Sequence, residues 1–541
     1  LHTNGADACK SKPDLRRSRF GEGWSRRLIW VFHFDQPLHI GGMNVLLYVM
    51  DCLRADRIHA LGYPRDCTPN LDRMCAEGVA FTQAYSNSGW TAPSGASIFS
   101  GQHPTRTGIH KMRDALNTEM PWLPEMLKAQ GFQTVAFSAV YQVSKLRGFD
   151  RGFELFDDTF KDPDTIQRCR DRGQDARGDD YCLPLSEDLH VKALKWLDDR
   201  KDSYDPFFML VWSIDTHEPF RQADSYNKEA DPAYNGPVDG RGRPFSRVRN
   251  RRDLQQLIDL YDGSLRYQDE KFGEFVKGLE DRGLLDDTII IVCGDHGEMF
   301  FEHGIAGHGK FPWEEELRVP LLMRGPQVLP QGKRFDSIVQ LIDIAPTLMD
   351  VLGLEPEKRF RGKSLRPVFE EQVKQLHEAV VLEVPFPFHR EELARVVRSQ
   401  DWKYIEYQPP KFGKRVKKYF KELGRALTLI VRPGMLGILY GHHFKKGLIG
   451  LLKAAYLEPY LFLLGFKTRR LFYLKKDPGE HKDVKGSERD TANKLQGYIA
   501  ALNAAGAPGL RSLGEVGSEE SAAEEEKKIE AHLAALGYVE D

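Results

Sequence analysis

The chain has no run of apolar residues long enough to cross a bilayer, for which about 20 are needed. Nor does one sign of charge prevail. Lys and Arg number 77 against 79 Asp and Glu, a net charge of −2, so nothing global points to nucleic acid and any polyanion or membrane contact must come from a local patch. It has no cysteine framework either. Cys9, Cys52, Cys67, Cys75, Cys169, Cys182 and Cys293 are odd in number and never fall at zinc-site spacing. They read as buried thiols of a reducing compartment, with Cys169 and Cys182 the one pair that an oxidising compartment could join. No secretory leader is expected either, since the apolar run Leu28–Phe34 is short and broken by His33. Residues 1–42 are Arg- and Gly-rich without a sustained period, and Met43 directly precedes a strand pattern. We read Met43 as the natural start and 1–42 as a non-native or disordered extension.

What is present is a large, ordinary globular composition. At 541 residues the chain exceeds one compact core, so two domains are expected. Strand-like runs at Val45–Met50, Thr134–Ser138, Phe207–Trp212, Thr288–Cys293 and Val319–Met323 alternate with helical patterns near Asn70–Glu77, Leu123–Gln130, Glu187–Asp199 and Leu254–Glu280. That alternation predicts an α/β domain over 43–371, a mostly parallel sheet between helix layers. Short runs at Ala379–Val384, Ala394–Arg398, Tyr404–Tyr407 and Leu471–Leu474, then a helix around Thr491–Asn503, predict a smaller antiparallel α+β domain over 372–505. An acidic helical tail follows over 506–541.

In parallel sheets the chemistry lies beyond the carboxyl ends of the strands. Three such ends carry reactive groups: Asp51 (with Arg54 and Asp56 after it), His217, and Asp295–His296, which begins a Gly-rich loop with Glu302, His303 and His308. Thr91, in SGWTAPSGASIFSG, precedes small residues able to start a helix, and a helix N-terminus offers N–H groups to an anion. An acid, an Asp-His pair and a hydroxyl could share one cation that lowers the hydroxyl's pKa. Plainer readings stand beside this one: a turn at Asp295–Gly297, a strand-end cap at Asp51 and a helix N-cap at Thr91.

The wording of these clusters resembles the sulfatase family of the alkaline phosphatase superfamily. The matching stretches run in family order: NVLLYVMDCLRADRIHALGYPRDCTPNLDRMCAEGVAFTQAYS, WTAPSGASIFSGQHPTRTGIH, LPEMLKAQGFQTVAF, DTHEPF, GDHGEMFFEHG, EEELRVPLLMRGP, QLIDIAPTLMDVLG, FRGKSLRPVF and LKKDPGEHKDV. They cover about residues 43–400 and 470–505. The resemblance implies metal ligands at Asp51, Asp295, His296 and the nucleophile Thr91. It implies substrate-facing histidines at His217 and His308, which hold the anion or protonate the leaving group.

The chain also departs from that family. Sulfatases carry Cys or Ser in C/S-x-P-S-R, oxidised to formylglycine; here Thr91-Ala92-Pro93-Ser94-Gly95 stands in its place, so neither the precursor nor the Arg is present. Cys67-Thr68-Pro69 belongs to the TPNLDR helix start and is not the nucleophile. A formylglycine hydrate frees its anion by collapsing to the aldehyde, which a Thr91 ester cannot do. Water must then attack phosphorus or sulfur, or another alcohol must accept the group. The resemblance extends to relatives with Thr at this position, phosphodiesterases and phosphoglycerol transferases among them, which implies a hydrolase or transferase leaning to phosphodiester or phosphonate-type substrates. A sulfuric ester hydrolase is the alternative, and an inactive binding protein that keeps the fold is a second. Asp51-Cys52 replaces the usual Asp-Asp and Asp295-His296 the usual Asp-Asn, which favours manganese or zinc and leaves calcium or magnesium open. Cys52 reads as a neutral strand-end thiol in preference to a soft ligand. The family's Lys/His pair after the Thr134 strand is absent, since that strand leads into Ala139, Val140 and Tyr141.

An insertion at 409–470 breaks the C-terminal pattern. Residues 411–470 hold fourteen Lys or Arg but only Glu422 and Glu458 as acids, interleaved with apolar runs such as Leu427–Val431 and Leu461–Phe466. Segments of this kind lie on anionic membranes or form a packed lid whose Lys stems cover apolar surface. The expectation is a cytoplasmic chain on the inner membrane surface, acting on a small or lipid-linked anionic ester, with no nucleic-acid partner and the oligomeric state open.

Overall fold

The computed structural model describes residues 42–504, apart from 111–113, 115, 174–181, 221, 310, 327, 386–392 and 409–468. The N-terminal extension, the basic insertion up to residue 468 and the acidic tail lie outside the described residues.

The larger sheet has eight strands: β1 (Asn44–Met50), β2 (Val79–Tyr85), β3 (Gln133–Ser138), β4 (Leu155–Asp158), β5 (Phe207–Ser213), β6 (Thr288–Gly294), β9 (Arg318–Arg324) and β10 (Lys333–Gln340). Between β6 and β9 a hairpin pairs β7 (Met299–Phe300) with β8 (Ala306–Gly307). The order across the large sheet is β10-β2-β9-β6-β1-β5-β3-β4. Among its strands β9 alone runs against the rest. Every residue of β1, β5 and β6 is buried, so both faces of the sheet are covered there. This is why these strands read as continuous apolar runs and not as alternating ones.

All five strands expected in this part form, within a residue or two. Three more form that were not expected. β4 is short and half exposed, β10 begins Lys-Arg-Phe-Asp at an exposed edge, and β2 carries Thr82 and Gln83 mid-strand. Neighbouring strands, not local hydrophobicity, place them. The Leu254 helix is longer than expected, Arg251–Glu280, because the Asn250 side chain accepts from the N–H groups of Arg252 and Asp253 at 2.8 and 3.0 Å.

The smaller sheet is antiparallel, in the order β11 (Ala379–Pro385), β12 (Leu393–Ser399), β13 (Trp402–Gln408) and β14 (Arg469–Tyr473). Its side chains alternate by face, as strand geometry requires. Val381, Val397, Tyr404 and Leu471 pack under Ala492, Leu495 and Ile499 of the helix Arg489–Ala504. Val380, Leu382, Val384, Val396 and Ile405 share a core with Tyr85, Trp313, Leu317 and Ile338 from the larger sheet and its loops. Among the described residues no helix is long and apolar enough to cross a membrane.

Candidate active site

Register assembles the site. In the β6-β1-β5 triplet, Met50 of β1 lies level with Gly294 of β6 and Ser213 of β5. The next residues, Asp51, Asp295 and Ile214, therefore leave the sheet together. One ligand atom each from Asp51, Asp295 and His296 lies within 4.8 Å of the others, near enough for small side-chain shifts to bring all three to one cation with bonds of about 2.0–2.2 Å. A second layer fixes the turn. Tyr261 of the long helix donates to the Cys52 carbonyl at 2.8 Å and accepts from Arg54 N at 3.2 Å. Thr216 Oγ1 donates to the Asp51 carbonyl at 2.5 Å.

Thr91 is the first residue of the helix Thr91–Ser100 and is buried. Its Oγ1 stands 3.3 Å from Asp51 Oδ2 and 3.2 Å from His296 Nε2. Behind it Ser94 Oγ donates to the Asp295 carbonyl at 2.7 Å, so the helix start is tied to the β6 loop. His296 Nδ1 faces the Gly297 carbonyl at 2.9 Å. A carbonyl only accepts, so Nδ1 carries the ring proton and Nε2 presents its lone pair to Thr91 Oγ1, Asp295 Oδ2 (3.4 Å) and Asp51 Oδ1 (3.8 Å).

The electrostatics of this group are those of a cation site. Burial pushes the Asp51 carboxyl up to about 7, with further repulsion from Asp295; burial likewise lifts Asp295 to about 8. Asp51 Oδ1 and Asp295 Oδ2 are buried and receive no hydrogen bond. Two buried carboxylates, a lone-pair nitrogen and a hydroxyl, separated by 3.2–3.8 Å, fit a divalent ion that would neutralise them.

The remaining histidines gather beside it. The His308 ring centre is 4.4 Å from that of His296 and 5.0 Å from that of His217. Burial, then the neighbouring His308, lowers His217 to about 3, so it is neutral. His217 Nδ1 donates to the Glu218 carbonyl, which leaves the lone pair on Nε2. Glu298 and Trp212 escaped the sequence reading. Glu298 oxygens lie 3.2 and 3.3 Å from His308 Nδ1; the available signal was its position two residues after His296. Trp212 Nε1 donates to Asp51 Oδ2 at 3.4 Å, and a tryptophan inside a buried strand announces no such contact.

The third sequence cluster divides. Arg54 donates to Asp56 at 2.7 and 2.8 Å, to Glu302 at 2.5 Å and to the Glu298 carbonyl at 2.9 Å, clasping the first strand's loop to the β7 hairpin. His303 stacks on Trp313 with ring centres 4.0 Å apart and pairs with Glu315 at 3.4 Å, in a group with Glu480 apart from the Asp51 set. Cys67 accepts from Arg266 at 3.3 Å, consistent with its exclusion as nucleophile. Cys169 and Cys182 lie in one small cluster with Ile166.

The family model for sulfatases matches residues 43–354, more than half of the chain. The chain belongs to the sulfatase family. A second model, N-sulphoglucosamine sulphohydrolase, C-terminal, matches residues 302–412 of this sulfatase. An arylsulfatase of Clostridium perfringens is 27% identical over 380 residues, covering 61% of this chain and 79% of that protein. A structure solved in complex with its substrate D-glucosamine-2-N,6-O-disulfate superposes with a TM-score of 0.61 at 19% identity, covering 86% of this chain and 97% of that one. The phosphonate monoester hydrolase of Agrobacterium radiobacter superposes at 0.60 with 19% identity, covering 85% and 95%. Both share the fold of this sulfatase-family ester hydrolase.

Proposed function

We propose that this sulfatase hydrolyses an anionic ester with Thr91 as its nucleophile, and that phosphate diesters or phosphonate monoesters are its substrates. The observation that carries the reading is Thr91 Oγ1 at the start of a helix, 3.3 Å from Asp51 and 3.2 Å from His296. Asp51, Asp295 and His296 hold a divalent cation, manganese or zinc before calcium or magnesium. When bound, the ion supplies Lewis-acid polarisation of the ester and acidifies the hydroxyl.

The chain's own groups do the rest. The N–H groups of the first turn after Thr91 face the anion and the helix dipole favours its charge. The ring proton of His296 stays on Nδ1, held by Gly297, so Nε2 remains a ligand. His217 is neutral and presents Nε2 as an acceptor, so it can take a proton from the attacking water, while His308, paired with the Glu298 carboxylate, is the ring that donates to the ester oxygens and to the leaving group. The ester formed on Thr91 Oγ1 has no aldehyde to collapse to, so water attacks its central atom. Phosphorus accepts that second attack readily, which supports the substrate class.

A sulfate ester is the second reading, supported by the arylsulfatase relative. The test is one panel: purified protein with manganese, zinc or calcium against aryl phosphate monoester, phosphodiester, phosphonate and sulfate substrates. Thr91→Ala should lower the best activity by at least about 10³-fold. Turnover undiminished in that variant removes Thr91 as nucleophile. Preference for the sulfate substrate selects the second reading, product captured by an added alcohol selects transfer, and no turnover with any metal leaves a binding protein.

A further inference from the structure

The turn after β1 poses a question of residue choice. Cys52 sits at φ +61°, a left-handed conformation that Gly or Asn adopts far more readily than cysteine. Cysteine at such a position implies a task for its side chain. The sulfur is fully buried, yet its surroundings are polar: His308 Nδ1 lies 3.5 Å away and His296 Nδ1 3.9 Å away. Cys52 joins two of the buried donor groups near Asp51, one with His296 and His308, the other with Asp51 and His217; within each group one atom per residue lies within 4.8 Å of the others. Asp51 Oδ1, without a hydrogen bond, belongs to this same neighbourhood.

We propose that Cys52 Sγ is a ligand of the metal centre, which makes that centre selective for a thiophilic divalent ion, zinc in the first place, over the hard ions calcium and magnesium. The inference rests on the metal-dependent reading given above. Its basis is donor chemistry: thiolate and imidazole select zinc, whereas carboxylate and carbonyl oxygen alone suit calcium. In the group of Asp51, Cys52 and His217 one donor atom per residue lies within 4.8 Å of the others, so the sulfur is near enough to an Asp51 oxygen to share an ion with it, Zn–S and Zn–O bonds being about 2.3 and 2.1 Å long. Binding replaces the S–H bond by a metal–sulfur bond and releases one proton to solvent, with no change in oxidation state. A ligated thiol is deprotonated outright.

The test is zinc K-edge X-ray absorption on the full chain, stripped of metal and reloaded with one equivalent of zinc. A sulfur scatterer near 2.3 Å is expected. It should vanish in Cys52→Ser, whose zinc dissociation constant should rise about tenfold or more while that for calcium moves by less than about threefold. The wild-type spectrum decides the matter even where the variant folds poorly. One bound zinc with oxygen and nitrogen scatterers alone overturns the assignment of Cys52 and leaves the metal-dependent reading standing. Failure to bind zinc, manganese or calcium at all overturns both. Equal loss of zinc and calcium in Cys52→Ser also overturns it.

Discussion

A Cβ placed on Gly95 would stand 3.0 Å from Cη2 of Trp212 and 3.2 Å from Cε1 of Phe149. The resemblance sets Gly95 against the arginine of the sulfatase C/S-x-P-S-R motif, and here two fully buried aromatic rings leave no room for a side chain. The same Trp212 donates to Asp51, so the ring that packs on Gly95 also touches the proposed metal ligand. Gly95→Ala should destabilise by about 1–3 kcal/mol through overpacking, although alanine is the better helix former by about 1 kcal/mol. Denaturant titration checks this; unchanged stability would mean that the rings yield freely. Gly95→Arg should fail to fold.

The pH dependence of the metal-free protein follows from Asp51 and Asp295. Burial raises both, to about 7 and about 8, above the ordinary value of 3.8. The folded chain then holds protons that the unfolded chain has released, so stability falls as pH rises from about 4 to about 8. Melting of the stripped protein should therefore occur at lower temperature at pH 8.5 than at pH 6. Added zinc or manganese should stabilise most at the higher pH, and Asp295→Asn should flatten the trend. A stripped protein that gains stability across this interval would contradict the assignment.

Lys403 is fully buried between Glu314, at 3.1 Å, and Glu480, at 2.8 Å. Glu480 also accepts from Glu314 N at 2.9 Å. This cluster links β13 to the segment that leads into β9. Lys403→Ala would leave the buried Glu480 carboxylate without its cation, while Glu314 keeps Arg398 at 3.5 Å and Tyr85 at 3.0 Å, and a loss of about 3–5 kcal/mol is expected. Chemical denaturation measures it, and a cost under about 1 kcal/mol would show that water reaches the cluster.

The basic stretch 411–470 carries a prediction from its sequence. We propose that it attaches the enzyme to an anionic membrane surface and brings a lipid-linked ester to Thr91. Each basic residue near such a bilayer contributes about 1 kcal/mol. Co-sedimentation with anionic vesicles at low salt should exceed that with neutral ones, and should fall at 1 M salt, where the Debye length is about 3 Å. Equal, salt-insensitive behaviour on both vesicles would return the substrate to solution.

The sequence by itself determined the central strands, the order of the motifs and the residues that approach one another: Asp51, Thr91, His217, Asp295, His296 and His308. Strand interiors such as Val45–Met50 are continuous hydrophobic runs, because burial on both faces favours nothing else, and that pattern is local enough to read. Edge strands were not legible. Lys333–Gln340 and Leu155–Asp158 take their form from hydrogen bonds to β2 and β3, and such pairing leaves little mark on composition. Trp212 and Glu298 acquire meaning only from tertiary structure, as do the neighbours of Cys52 and Gly95, which the sequence marked only as departures from the family pattern. Their significance is a distance across the fold, from Cys52 to His308, from Trp212 to Asp51 and to Gly95, and from Glu298 to His308. A distance between residues far apart in the chain is set by strand register and helix packing, which no single stretch of sequence encodes.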